Sequence, residues 1–218
     1  MDDLQILYRR RFPESDRAVR ARIWQVLCDH FFQKYVKDTD TLLELACGLG
    51  EFTRAIRARR KIAVDLNPDA ASLLPPDVEF HMVSAARMEF LGDASVDVCF
   101  TSNFFEHLPA KTDLDAVLLE VRRVLRPGGT FVALQPNIRC VPGRYWDFYD
   151  HHLPLSDRSC AEAFAKAGFE VVETIDRFLP YTSCSRVPKH PLLVRLYLLV
   201  RPAWRFLGGQ FLIVGRKP

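Results

Sequence analysis

Residues 42–52, LLELACGLGEF, hold the strongest constraint in this chain. An apolar run ends at Glu44-Leu45-Ala46, a small turn Cys47-Gly48-Leu49-Gly50 follows, and a helix-forming stretch begins. Strand, bare turn and helix make the first unit of an open α/β sheet, and such sheets bind ligands outside the carboxyl ends of their strands. Glycine in the turn admits positive φ and lets backbone approach a ligand closely. A dinucleotide site wants G-x-G-x-x-G, but Thr53 stands at the third position. Glu44 places a carboxylate beside the turn, which suits a cationic amine better than a pyrophosphate. A second carboxylate, Asp65, closes the next strand, where it can accept from both hydroxyls of a ribose.

The rest of the chain alternates strand and helix patterns. Apolar positions Val19, Ile23, Val26, Leu27 and Phe31 predict a helix within 15–37, with Ser15 as its cap. Strands are expected at 41–46, 61–65, 78–83, 96–101, 130–135, 169–175 and over QFLIVGR near the end. Helices are expected at 50–59, after Asn67-Pro68, at 112–125 and at about 157–167. In 112–125, Leu114, Val117, Leu118, Val121, Val124 and Leu125 share one face, and Arg126-Pro127-Gly128-Gly129 is read as the stop. The pattern predicts an α/β fold: a Rossmann-like, seven-stranded, mostly parallel sheet with helices on both faces. The last two strands are joined by 177–208, which is no simple crossover, and their pairing stays open. The expected organisation is an amino-terminal helical segment (1–39) over the ligand site and a main domain (40–218). An aromatic loop (136–155) and a basic apolar insertion (177–208) belong to the latter.

The chain has 218 residues, 49% hydrophobic and 26% charged, the balance of a soluble globule. The start, MDDLQILYRRRF, carries acids and no apolar core, so no signal peptide is read. Cys28, Cys47, Cys99, Cys140, Cys160 and Cys184 are scattered without a CxxC pair, which argues against a disulfide framework or zinc knot and for a cytoplasmic location. The net charge of +3 is unevenly spread. No acid follows Asp176, while Arg177, Arg186, Lys189, Arg195, Arg201, Arg205, Arg216 and Lys217 do. Such asymmetry marks a surface that meets anions.

The pattern E-x-A-x-G-x-G, the acid ending strand two, SVDVCFTSNFFEHL and LLEVRRVLRPGGTFVALQPN together resemble the class I S-adenosylmethionine (SAM)-dependent methyltransferases. The similarity covers roughly 40–176 and is greatest to the group acting on small molecules and lipids. The resemblance implies SAM as cofactor and S-adenosylhomocysteine as product. It implies that Glu44, Ala46, Gly48 and Gly50 cradle the methionine part, and that Asp65 with Leu66 holds the ribose. Ser84 and Ala85 would meet adenine, and Ser102, Asn103 and Phe104 would line the transfer site. Two positions depart from the family. Ala46 stands where the first glycine is usual, and Ser84 stands where many members carry an Asp for the adenine amino group.

Methyl transfer needs alignment and desolvation of the acceptor, and a base only where the acceptor must lose a proton. The candidate bases are His107, His151 and His152. His107 follows the fourth strand; the other two lie in RYWDFYDHHLP. That loop sits where α/β proteins carry function, and Arg144, Tyr145, Trp146 and Tyr149 are its expected acceptor contacts. Asp147, Asp150, His151 and His152 lack recognisable metal-ligand spacing, so no metal is expected. Asn103-Phe104-Phe105 lacks the prolines of the Asn/Asp-Pro-Pro-aromatic motif, which argues against methylation of adenine or glutamine amides.

Residues 189–208 are apolar with interspersed arginines, and Arg195, Arg201 and Pro202 break the run too early for a membrane span. The preferred reading is a helix packed on the domain with solvated arginines. The sharper one is peripheral contact with an anionic membrane or a grip on a phosphorylated, lipid-like acceptor. The expected function is methyl transfer from SAM to O, N or C of a small-molecule or lipid-linked acceptor. Alternatives are a non-catalytic SAM-binding partner subunit and, ranked lower for want of an RNA-recognition motif, an RNA methyltransferase.

Overall fold

The computed structural model describes residues 14–181 and 190–218. The reading of the first residues as free of a signal, and any role for Cys184, Arg186 and Lys189, lie outside those residues.

Helix α1 (Arg17–His30) leads into the sheet. There follow β1 (Thr41–Leu45), α2 (Glu51–Ala55), β2 (Arg60–Val64), α3 (Asp69–Leu73), β3 (Val78–His81) and β4 (Val96–Ser102). Then come α4 (Lys111–Val124), β5 (Leu125–Pro136), α5 (Asp157–Lys166), β6 (Glu170–Ile175), α6 (Pro191–Leu199), α7 (Arg201–Leu207) and β7 (Gln210–Arg216). The strands form one sheet in the order β3-β2-β1-β4-β5-β7-β6. β1 to β5 run parallel. β7 slots between β5 and β6 and runs antiparallel to both, which resolves the pairing the sequence left open.

Each strand sends alternate side chains to opposite faces, and both faces are apolar. Leu43, Cys99, Phe131 and Ile213 pack under α4 and α5. Leu42, Phe100, Leu134 and Leu212 pack under α1 and the α6–α7 insertion. Burial on both sides is why the β1 residues Thr41–Leu45 are all buried and read as a continuous run rather than an alternating one. The second face is an aromatic cluster. Phe52 stacks on Phe100 at 3.6 Å between centroids, and Phe31 meets Phe178 at 4.1 Å. Trp204 of α7 closes on Phe178 at 4.9 Å.

Four local expectations are corrected. The first helix stops at His30, because Phe31 leaves helical geometry (φ −141°) to join the aromatic cluster, and a short 3-10 turn, Phe32–Tyr35, follows. Ser15 lies in a 3-10 turn (Glu14–Asp16), and the cap position is Asp16. The helix expected at 50–59 keeps only Glu51–Ala55, since Ile56 turns extended and buries in the core. Arg126-Pro127-Gly128-Gly129 does not separate helix from strand. β5 begins at Leu125, which pairs with Val96, and the register then shifts so that Val98 meets Thr130. Gly128 supplies the positive φ (+79°) within that irregular stretch.

Candidate functional site

At the carboxyl ends of β1 and β4 the structure holds a cavity of about 460 Å³. Its floor comes from Glu44, Ala46, Cys47 and Gly48, and a second wall from Ser102, Asn103, Glu106 and His107. Helix α1 contributes Arg20, Ile23 and Trp24 to the rim, and the loop after β5 contributes Phe148 and His151.

The glycine turn has the conformation its composition allows. Gly48 and Gly50 sit at φ +56° and +70°. A Cβ on Gly50 would come within 2.4 Å of the Leu74 side chain. Ala46 also has positive φ, +50°, as does Asn103 at +49°, across the cavity at the end of β4. Two non-glycine residues in the left-handed region at one cavity mark backbone strain held by the surrounding fold. The strain at Ala46 also explains why glycine is usual there in the family the sequence resembles. The Asn103 Oδ1 accepts from Gln210 Nε2 at 2.6 Å, tying β4 to the incoming β7.

The two carboxylates are set differently. Glu44 is buried and accepts from both the amide and the hydroxyl of Thr53. Burial drives its carboxyl well above the usual range, opposed by the Thr53 amide, with Glu51 and Asp65 adding to the rise. Asp65 is buried and accepts from the amides of Gly48 (2.7 Å) and Asn67 (2.8 Å). Burial raises its carboxyl, against the pull of the Asn67, Gly48 and Leu66 amides.

The acid/base candidates separate. His107 lies half-buried on the cavity wall. Its Nδ1 lies 3.0 Å from the Asp150 carbonyl and 3.2 Å from the Asp150 carboxylate. That leaves Nε2 as the ring nitrogen able to meet an acceptor. Burial pulls the imidazole down, but the Asp150 hydrogen bond and the charges of Glu106 and Asp150 outweigh it, and the net shift is upward. His151 is buried in the same wall, its ring 5.0 Å from that of His107. His152 is exposed and outside the cavity; its amide donates to the Glu106 carbonyl at 2.7 Å.

Glu106, His107 and His151 each bring a potential donor atom within 4.8 Å of the others. This is the grouping among the described residues with spacing for a cation, and it differs from the Asp147/Asp150/His151/His152 set weighed in the sequence. Sequence reasoning missed Glu106 because a residue between the Phe104-Phe105 pair and His107 gives no sign of which way it faces.

The expected acceptor contacts land elsewhere. Tyr145 is fully buried, and its hydroxyl donates to the Leu153 carbonyl at 2.6 Å, so it stabilises the loop from within. Arg144, Trp146 and Tyr149 are exposed and off the cavity wall. The same loop presents Phe148 and His151 instead, and Leu179 and Tyr181 after β6 complete the wall. Of the adenine-side candidates, Ser84 is exposed, with its hydroxyl accepting from the Ala86 amide, while Ala85 is buried against the core. Leu66 is exposed beside Asp65. Gly50, Asp65 and Phe104 are not among the residues lining the cavity.

A parallel sheet closed by an antiparallel β7, with a bare turn at the mouth of β1 and an acid at the tip of β2, is the Rossmann-like methyltransferase architecture. Residues 43–133 match the model of the methyltransferase domain family, and the relatives and structures similar to this chain include SAM-dependent methyltransferases. A probable S-adenosylmethionine-dependent methyltransferase of Mycolicibacterium smegmatis is 35% identical over 144 residues, 63% of this chain and 54% of that one. A malonyl-[acyl-carrier protein] O-methyltransferase of Serratia marcescens is 35% identical over 97 residues, 43% of this chain and 37% of that one. The chain thus spans about half, or less, of the length of these curated relatives. Among solved structures, a SAM-dependent methyltransferase from Archaeoglobus fulgidus superposes with a TM-score of 0.69 at 19% identity, covering 99% of this chain and 100% of the other. A chain of the Haloferax volcanii complex of the Trm112 methyltransferase activator gives 0.71 at 22%, covering 100% and 99%. At these identities the two structures show the shared fold.

Proposed function

We propose that this protein transfers the methyl group of SAM to O, N or C of a small-molecule or lipid-linked acceptor bound in the cavity between α1, β1 and β4. The observation that carries the proposal is shared space. Glu44, Ala46 and Gly48 line the same cavity as His107 and His151, so a cofactor on the glycine turn and an acceptor beside the histidines would face one another. The residues fit such a cofactor. A buried carboxylate whose ionisation is disfavoured by burial is stabilised by a cationic group, and the positive-φ turn bares backbone for close approach. When bound, SAM supplies an electrophilic methyl on a sulfonium.

The chain's own contribution is then positioning and proton handling. Glu44 holds negative charge at the turn, and Asp65 keeps the Gly48 amide in place. Ile23, Trp24, Leu134 and Phe148 give the cavity apolar walls that exclude water. His107, oriented by Asp150 through Nδ1, takes the acceptor proton at Nε2 as the new bond to carbon forms. The acyl-carrier-protein-linked acceptor named for the Serratia marcescens relative supports a small-molecule or lipid-linked acceptor. In this reading helix α1 of the amino-terminal segment covers the site, and 40–218 is the catalytic domain.

The test measures S-adenosylhomocysteine formed from SAM with a panel of small acids, phenols, quinols and carrier-linked acyl chains. Turnover with a member of the panel, lost in His107→Asn while SAM affinity is kept, is the expected result. SAM binding without turnover, restored by an added activator protein, would instead favour a partner-dependent subunit.

A further inference from the structure

The α6–α7 insertion combines two features that the methyl-transfer reading does not use. Its inner side is anchored: Leu198 and Trp204 are buried, Tyr197 donates its hydroxyl to the Phe178 carbonyl at 2.6 Å, and Trp204 Nε1 donates to the Tyr197 carbonyl at 2.8 Å. Its outer side is apolar and exposed. Leu192, Leu196 and Leu199 recur at helical spacing along α6, and Phe206 projects from α7. Leu199 is 74% and Phe206 80% exposed. An anchored helix pair that turns such side chains to solvent has a partner for them.

Beside this face lies a second cavity of about 600 Å³. Arg139, Arg177, Arg201 and Arg205 line it, against Asp176 as the acid among its lining residues. Arg139 is engaged by Asp157 at 3.0 Å, and Arg177 donates to the Arg205 carbonyl at 3.1 Å. Arg201 lies over the Trp204 ring at 5.8 Å. No carboxylate follows Asp176 in the sequence, so the arginines of the insertion meet no acid of their own segment. Guanidinium groups converging on a cavity of this size fit a phosphate oxyanion.

We infer that the α6–α7 face is a docking surface for an anionic lipid bilayer, with Leu192, Leu196, Leu199 and Phe206 entering the interface and the arginine cavity receiving a lipid phosphate. Protruding leucine and phenylalanine beside arginine, with no Asp or Glu in the segment after Asp176, is the pattern of helices that lie in a membrane interface. Neither helix spans: α6 has nine residues and α7 seven, and no described helix is long and apolar enough to cross a bilayer. The docked face also adjoins the acceptor cavity. Asp176 and Arg177 line the basic cavity, while Leu179 and Tyr181 of the same segment line the other. The inference stands without the methyl-transfer reading, since its test uses only protein and vesicles.

The test is flotation of the full chain with vesicles of phosphatidylcholine, with and without phosphatidylglycerol. Binding to the anionic vesicles should exceed binding to the neutral ones at least about tenfold, given the contribution of each arginine near an anionic surface. Arg201→Glu with Arg205→Glu should lose at least about tenfold of that binding, and Leu199→Ser with Phe206→Ser should lose it to a similar extent. All four positions are exposed, and an unchanged melting temperature verifies that each variant is folded. Absence of flotation, or flotation unaltered in the arginine variant, overturns the inference. So does capture of an acidic protein, or stabilisation by inorganic phosphate, without vesicle binding.

Discussion

Asp65 and Gly48 are joined by a 2.7 Å hydrogen bond from the glycine amide to the carboxylate Oδ2. The acid at the tip of β2 therefore shapes the turn at the mouth of β1, and the two halves of the proposed cofactor site form one unit. Asp65→Ala would leave the Gly48 and Asn67 amides unsatisfied, at about 1–3 kcal/mol each. It should weaken SAM binding at least about tenfold and also lower the melting temperature. Asp65→Asn keeps an acceptor for one amide and should recover part of the stability but less of the affinity. Calorimetry and thermal melts on both variants separate the two effects; unchanged SAM affinity in Asp65→Ala would sink the ribose role.

If Glu44 faces the cofactor as proposed, it should make cofactor binding depend on pH. Its carboxyl is raised well above the usual range by burial, and a cation beside it would favour the ionised form. Binding should then release a proton wherever the free protein holds one there. SAM affinity should rise with pH, by up to about tenfold per pH unit in the window between bound and free ionisation, and then level off. Titration calorimetry in buffers of different ionisation enthalpy reads this release directly.

The same carboxylate carries a stability cost of predictable sign. Because its folded-state pKa is raised, ionisation favours the unfolded chain, so stability falls as pH climbs from the ordinary carboxylate range through the folded value. Glu44→Gln removes that penalty. The cofactor-free variant should melt higher than the parent at neutral pH, by roughly 2–4 °C per kcal/mol gained, with the gap closing in acid. It should lose SAM binding at the same time. A melting temperature below the parent's at neutral pH would contradict the account.

Ala46→Gly tests the strained turn. A left-handed conformation costs a non-glycine residue roughly 1–2 kcal/mol, while glycine costs about 0.5–1 kcal/mol in unfolded-state entropy. A net gain of a few tenths to about 1 kcal/mol is expected, with SAM affinity retained. Chemical denaturation measures the gain.

His107→Asn should lower kcat by roughly 10²–10⁴-fold with SAM affinity within about twofold of the parent. The Glu106, His107 and His151 grouping sets a companion measurement. Activity should survive a chelator, and divalent zinc or manganese should leave the melting temperature unchanged. Loss of turnover on chelation, restored by metal, would reassign the cluster from proton transfer to cation binding.

Much of the scaffold was legible because the signals are local. The α4 stripe from Leu114 to Val124 follows helical period, and it is buried as that period requires. The glycine turn declared itself because Gly48 and Gly50 occupy a conformation few residues tolerate. The loop after β5 was legible as a loop but not in its facing. Tyr145 and Phe148 are three residues apart in one aromatic run, yet the first is sealed inside and the second lines the cavity. Composition cannot tell such neighbours apart, because the choice is made by what packs against them.

The sequence by itself determined the order of elements, the bare turn after β1 and the acids at two strand tips, since each follows from residue spacing over one or two turns of chain. Only the tertiary structure decided that β7 inserts antiparallel between β5 and β6, that Ala46 and Asn103 share left-handed strain across one cavity, and that His107 meets Asp150 and His151 from more than forty residues away. Those relationships join segments distant in the chain, and their energies exist only once the sheet has brought the segments together.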